Sequence, residues 1–177
     1  TLWATEFIKA HLAPEGFVVS CQNSINDYAV ASIVGRHRTL GCVMSVIEVG
    51  LLDSGHVTRG GDPGRNRSHY VFRVGELCGP ISPRVTRVVE LLEHIDAARG
   101  TTNLLGERWA KLAANCMSNP TGAMSGLGSN GQANSADARR IRIYTLNEVV
   151  TIAKAHDIAI TPVMGISPDT WLNVADV

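Results

Sequence analysis

Lys111, Asn115 and Asn119 stand at i, i+4 and i+8 in the stretch Glu107-Arg108-Trp109-Ala110-Lys111-Leu112-Ala113-Ala114-Asn115-Cys116-Met117-Ser118-Asn119-Pro120. On a helix that spacing stacks the three side chains along one face, each about 6 Å from the next. An ammonium flanked by two carboxamides suits the reduction of a carbonyl. When hydride arrives at carbon, negative charge grows on oxygen. A lysine within hydrogen-bond reach stabilises that charge and hands over a proton. Each asparagine offers a donor and an acceptor without adding charge, so it can hold a hydroxyl or a carboxylate in register. The same three residues also read as an ordinary solvated face of an amphipathic helix, and spacing alone leaves both readings open.

The elements that must carry this row emerge from the apolar pattern. Leu105, Trp109, Leu112 and Cys116 form a stripe about a quarter turn from the polar row, so the row borders the buried side. Pro120 lacks an N–H and its ring clashes with the carbonyl of residue 116, which predicts that the helix ends or kinks there. A second long helix is expected from Ser135, a good N-cap residue, to Ala155, and Pro162 and Pro168 punctuate the last stretch of the chain. Upstream the pattern is mixed. Leu2, Trp3, Phe7, Ile8 and Leu12 recur on a helical period, and Pro14 and Gly16 stop that helix. Phe17-Val18-Val19-Ser20-Cys21 reads as a buried strand. Asn26 or Asp27 caps a helix through about Val34, ended by Gly35. Strands are expected over Thr39 to Val49, around His56 to Arg59 and over His69 to Val74, with a loop or hairpin tip at Gly60-Gly61-Asp62-Pro63-Gly64-Arg65-Asn66-Arg67. Pro83 opens a helix striped by Val85, Val88, Val89, Leu92 and Ile95. The expected fold class is α/β followed by all-α, with one unit over residues 1–102 and a helical one over 103–177.

Composition narrows the function classes. Among 177 residues, Lys plus Arg is 16 and Asp plus Glu is 16, so the chain is neutral and has no electrostatic drive toward nucleic acid or an anionic membrane. Apolar residues are 45%, enough for a packed core. Cys21, Cys42, Cys78 and Cys116 form no C-x-x-C pair, which fits small buried thiols in a reducing compartment. No apolar run is long enough for a membrane span, and the first residues lack a basic region followed by an apolar one, so a cytoplasmic location is expected. The missing initial Met suggests a piece of something longer.

Trp109, Lys111, Leu112, Asn115, Asn119 and Pro120 form a Trp-x-Lys-Leu-x-x-Asn-x-x-x-Asn-Pro run. It resembles the signature that opens the helical domain of the ketopantoate reductases (2-dehydropantoate 2-reductases). Val19-Ser20-Cys21-Gln22-Asn23 is similar to that family's strand ending in Gln-Asn-Gly, and Val74-Gly75-Glu76-Leu77 to its Ile-Gly-Glu turn. The resemblance implies part of a Rossmann-type NADP-binding domain over 1–102. It implies the start of a helical, 6-phosphogluconate-dehydrogenase-like domain over 103–177. It further implies NADPH as cofactor, a small 2-keto acid as substrate, room for a homodimer, and a place in making pantoate for pantothenate. By the same resemblance Lys111 takes the place of the general acid, and Asn115 and Asn119 match substrate-orienting amides. Asn23 matches an amide touching cofactor and substrate, and Asn130, in Asn130-Gly131, an amide that reaches the substrate.

The chain departs from the family pattern at Ser24, where Gly is usual, and at Thr121-Gly122-Ala123-Met124, where Leu-Thr-Ala-Leu is usual. The family's Gly-rich phosphate loop would precede Thr1, so the 177 residues alone are expected not to turn over. A related hydroxyacid or imine reductase is the alternative enzyme, and a non-catalytic binding module the alternative of another class. Gly126-Leu127-Gly128-Ser129-Asn130-Gly131 spells G-x-G-x-x-G, but a helix precedes it rather than a strand, so an inter-helix loop is expected. The six histidines show no metal spacing and no Ser sits in G-x-S-x-G, so no metal and no hydrolase elbow are expected.

Overall fold

The computed structural model describes residues 1–61, 63–64 and 69–173. The chain divides into two units, Thr1–Leu104 and the residues from Leu105 on.

In the first unit, the strands β1 (Val18–Ser20), β2 (Thr39–Met44), β5 (Phe72–Glu76) and β6 (Ala98–Gly100) form one mixed sheet in the order β1-β2-β5-β6. β1 runs parallel to β2, β2 antiparallel to β5, and β5 parallel to β6. The helices of this unit are α1 (Leu2–Lys9), α2 (Asp27–Val34) and α3 (Pro83–Glu93). A separate hairpin pairs β3 (Glu48–Asp53) with β4 (His56–Gly60).

β2 is buried almost throughout, and its alternation sends side chains to two cores. Leu40 and Cys42 join Val74, Val85, Val88 and Ala98 on one face. Val43 joins Ala31, Leu77 and Leu104 on the other. Gly41 lies on the Val43 face, directly opposite Gly75 of β5. A Cβ on Gly41 would come 2.5 Å from Leu104, and one on Gly75 would come 2.8 Å from the Thr101 carbonyl oxygen. This pair of missing side chains is the trough in which residues 101–104 sit.

Several expectations are corrected here. The Phe17–Cys21 strand shortens to β1, which lies half-buried at the sheet edge rather than in its centre. The span Thr39–Val49 is two strands, because Val46 adopts φ 56° and breaks it. β5 lies over 72–76, shifted from 69–74. The hairpin tip is Ser54-Gly55 between β3 and β4; of the tip placed at 60–67, Asp62 and residues 65–67 lie outside the described residues. β6 is an addition: Ala98-Arg99-Gly100 has no apolar run and is a strand through its pairing with β5. The apolar stripe of α1 is left uncovered, with Trp3 79% exposed and stacked on Phe7 at 5.8 Å. Ile95 falls beyond α3 and is exposed. Of the four free cysteines only Cys42 is buried.

Val74-Gly75-Glu76 is the end of β5 rather than a turn, and Glu76, its last residue, is a structural anchor. Its Oε1 accepts from the Ser82 hydroxyl at 2.6 Å and from Arg84 Nε at 2.8 Å, and its Oε2 accepts from Arg84 Nη2 at 2.5 Å. Ser82 is also the N-cap of α3, taking the Val85 N–H, and Pro83 stands at the first turn. The forked Arg84 contact is a two-point, charge-assisted pair, and the guanidinium also reaches the His37 carbonyl. β5, the start of α3 and the 3₁₀ turn Arg36–Arg38 are thus tied through the Glu76–Arg84 pair.

In the second unit, α4 (Leu104–Ser125) continues from the first and is followed by α5 (Ser129–Asn134), α6 (Ala136–Ala155) and α7 (Pro168–Leu172). Its core is Ala110, Ala113 and Met117 of α4 with Leu146 of α6 and Val163. The stripe Leu105, Trp109, Leu112 and Cys116 is only half-buried, so two alanines and Met117, not this stripe, face the core from α4. Ser135 caps α6 as expected, accepting from the Ala138 N–H at 3.3 Å. Among the described residues no helix is long and apolar enough to cross a membrane.

The hydrogen bond from Arg84 holds the Glu76 carboxyl below its ordinary pKa of 4.5. A depressed carboxylate contributes stability that is fully present above the ordinary value and drains as pH falls through the lower folded one. Glu76→Gln is therefore expected to lower stability at neutral pH and to flatten its loss on acidification below about pH 4.5. Urea unfolding across that range checks it, and parallel curves for variant and parent would show that the pair carries no such linkage.

Candidate functional site

Lys111, Asn115 and Asn119 all lie on α4, because the helix runs unbroken from Leu104 to Ser125. The expected end at Pro120 is corrected. Proline removes the one N–H that would meet the Cys116 carbonyl. The next carbonyl, on Met117, accepts from the Thr121 hydroxyl at 2.9 Å, and the Ser125 hydroxyl donates to the Thr121 carbonyl at 2.6 Å. The helix stops instead at Gly126, which takes φ 70° and returns its N–H to the Gly122 carbonyl at 2.9 Å.

With the helix continuous, the polar row falls roughly on the opposite side of α4 from Ala110, Ala113 and Met117. Lys111 and Asn115 are half-buried and Asn119 is exposed. Glu107 extends the same row one turn toward the N-terminus and is only 5% exposed, with Arg108 beside it also buried. The Thr161 hydroxyl donates to Glu107 Oε2 at 3.4 Å. Sequence reasoning missed Glu107 as part of this row, although the four-residue period, continued backwards from Lys111, marks it. A glutamate one turn before a lysine is also the favoured order of charges on a helix.

Asn130 lies in the same unit, exposed in the first turn of α5. The expected loop over 126–131 therefore narrows to Gly126-Leu127-Gly128, with Ser129 already helical. α4, a helix, precedes it, and α5 has six residues, so the G-x-G-x-x-G spelling here has no strand leading into a long helix. Gln132, also missed, is buried beneath this corner.

Asn23 belongs to the first unit. It is exposed just past the carboxyl end of β1, in the bend that leads to α2. The Asn26 side chain donates to the Asn23 carbonyl at 2.5 Å, which fixes the backbone of the bend. Ser24, where glycine is usual in the resembling family, has φ 68°. That is the left-handed region which a side chain enters at a cost.

The second departure also has a physical reason. Gly122 faces Gln132, and a Cβ there would lie 2.7 Å from Gln132 Nε2. The glycine and the buried amide therefore fit as a pair.

Residues 103–174 match the family described as "Ketopantoate reductase PanE/ApbA C terminal". No curated protein matches in sequence. Among solved structures, the chain is similar to a PanE/ApbA family ketopantoate reductase from Ralstonia eutropha JMP134 (TM-score 0.73, 17% identity, 90% of this chain and 49% of that one). It is similar to 2-dehydropantoate 2-reductase from Geobacter metallireducens GS-15 (TM-score 0.72, 21% identity, 94% of this chain and 56% of that one). It is also similar to D-mandelate dehydrogenase solved with NADH and anilino(oxo)acetate (TM-score 0.74, 14% identity, 90% of this chain and 50% of that one). The chain spans about half the length of these solved relatives. At such identities the likeness establishes the fold: part of a Rossmann-type α/β domain followed by a helical one. The resemblance read from the sequence motifs is borne out by the family match and by these neighbours.

Ser24→Gly is expected to raise stability by up to about 1 kcal/mol, because it relieves the left-handed strain while loosening the unfolded chain. Thermal unfolding of the two proteins checks it, and an unchanged or lowered midpoint would mean that the bend holds serine without strain.

Proposed function

We propose that this chain is part of an NADPH-dependent 2-keto acid reductase, with 2-dehydropantoate as substrate and Lys111 as proton donor. The observation that carries the reading is the family match over 103–174, which encloses the whole row Lys111, Asn115, Asn119 on one unbroken helix. A soluble cytoplasmic enzyme, and a homodimer as its assembly, belong to the same reading.

The residues at the end of β1 fit the nicotinamide end of such a cofactor. Asn23 presents an exposed amide where open α/β sheets take ligands, past the strand ends, on a bend fixed by Asn26. Among the described residues no Gly-rich turn joins a strand to a long helix, so the phosphate-binding end is not supplied by them. When bound, the reduced nicotinamide supplies the hydride.

The chain's own contribution is charge, proton and orientation. As the keto oxygen gains negative charge, the Lys111 ammonium stabilises it and transfers a proton from Nζ, leaving a neutral amine and an alcohol. Asn115 and Asn119, one and two turns on, hold the hydroxyl and carboxylate of the substrate by paired donors and acceptors. Asn130 adds a further amide from α5. Glu107, buried one turn before Lys111, stands on the same helix face and accepts from the Thr161 hydroxyl.

A related reductase for another 2-keto acid is the second reading. It is favoured by the likeness to D-mandelate dehydrogenase and by Ser24 and Gly122, where the chain leaves the usual pattern. A panel of 2-keto acids offered with NADPH and with NADH to the complete gene product separates the two.

Lys111→Met in the complete gene product is expected to lower kcat by about 10²- to 10⁴-fold, the range for a lost general acid. The circular dichroism spectrum should be unchanged. Undiminished turnover would exclude Lys111 as the donor and remove the basis of the assignment.

A further inference from the structure

We propose that Gln132 is a positioning residue for the keto-acid substrate, acting by bracing the α4–α5 corner that presents Asn130. The inference rests on the reading of Asn130 as a substrate contact.

Gln132 is only 6% exposed, in a six-residue helix whose other residues are exposed or half-buried. Its Nε2 donates to the Leu127 carbonyl at 3.0 Å, and its backbone N–H to the Gly128 carbonyl at 2.9 Å. One residue thus ties α5 to two of the three residues of the corner before it, Leu127 and Gly128. The corner has little else. The Leu127 N–H donates to the Ser125 hydroxyl at 3.2 Å, and Gly126 closes back onto Gly122.

The room for this amide is provided by Gly122, since a side chain there would meet both Nε2 at 2.7 Å and the Leu127 carbonyl at 3.2 Å. The other half of the amide has no such use. Oε1 is buried without a hydrogen-bond partner among the described residues. A buried, half-satisfied amide is a costly way to fill space, and an apolar side chain of the same length would do that better. What the glutamine adds over such a residue is the Nε2 bond to the corner.

Positions 130 and 132 point to roughly opposite sides of a helical turn. Anchoring Gln132 inward therefore sets Asn130 outward, as observed. A corner free to rotate would scatter the Asn130 amide and weaken its hold on the substrate, while Lys111 on α4 would keep its place.

The test compares Gln132→Met and Gly122→Ala with the parent, in the complete gene product. Methionine keeps length and packing but has no N–H; alanine at 122 leaves every polar group in place but displaces Nε2. Both are expected to raise KM for 2-dehydropantoate about tenfold, with kcat and the KM for NADPH within about twofold. The double variant should rise no further, because both changes break one bond. A lowered melting temperature with unchanged KM would mark Gln132 as merely structural and overturn the proposal. If Gln132→Met does not fold, Gly122→Ala alone decides by the same KM criterion. A parent protein that reduces no 2-keto acid would overturn the functional reading and this inference with it. An active parent with unmoved KM in the variants overturns this inference alone.

Discussion

Pro120 has no N–H to give the carbonyl of Cys116, yet α4 passes through it for another turn and a half. The hydroxyls of Thr121 and Ser125 turn back onto carbonyls one turn before them, and Gly126 supplies the left-handed residue that ends the helix. Had the helix broken at 120, Asn119 would sit on a frayed end, and the corner carrying Asn130 would have no fixed start. The polar row is a consequence of this continuity. Its members share a face because nothing between Glu107 and Asn119 departs from 3.6 residues per turn.

The start of α4 imposes the complementary constraint on the sheet. Leu104 reaches the β2–β5 pair where Gly41 and Gly75 face each other, and either Cβ would displace it. Glycine weakens a strand, so two in register are a cost borne for close approach. Beside them, Glu76 ties β5 to α3 through Ser82 and Arg84. The Val-Gly-Glu end of β5 therefore has two structural duties, one at the glycine and one at the carboxylate, and neither requires a ligand.

What is legible in the sequence divides along physical lines. α2, α3 and α6 are legible because local chemistry sets their ends: Gly35 after α2, Ser82-Pro83 before α3, Ser135 before α6. β6 is not, since three residues without an apolar run become a strand only by pairing with a distant partner. The break at Val46 is hidden because an unfavourable φ is imposed by its surroundings and leaves no compositional mark. On α4 the large apolar side chains draw attention, while the core uses Ala110 and Ala113, which bring helices close but carry a weak hydrophobic signal. The row is visible from spacing, and the same period reaches Glu107, but the burial of Glu107 is not legible, because a charged residue is ordinarily assigned to solvent. Pro120 misleads because the loss of a backbone donor is plain in the sequence, whereas the helix continues through it to Ser125.

The two departures from the family pattern differ in kind. Ser24 puts a side chain where the backbone favours none, and the described neighbours do not replace what glycine would give there; the Asn26 contact fixes the Asn23 carbonyl but leaves φ at 68°. Gly122 removes a side chain, and the space is taken up at once by the Gln132 amide. A change with its compensation in contact behaves as one feature, so neither residue is properly weighed alone. In the function proposed above, Lys111 and its asparagines supply what any 2-keto acid requires, a proton and a grip on the polar atoms around the carbonyl. Discrimination among such acids needs groups that touch what varies between them. The bend after β1 and the corner before α5 are where this chain alters its backbone while leaving the row intact.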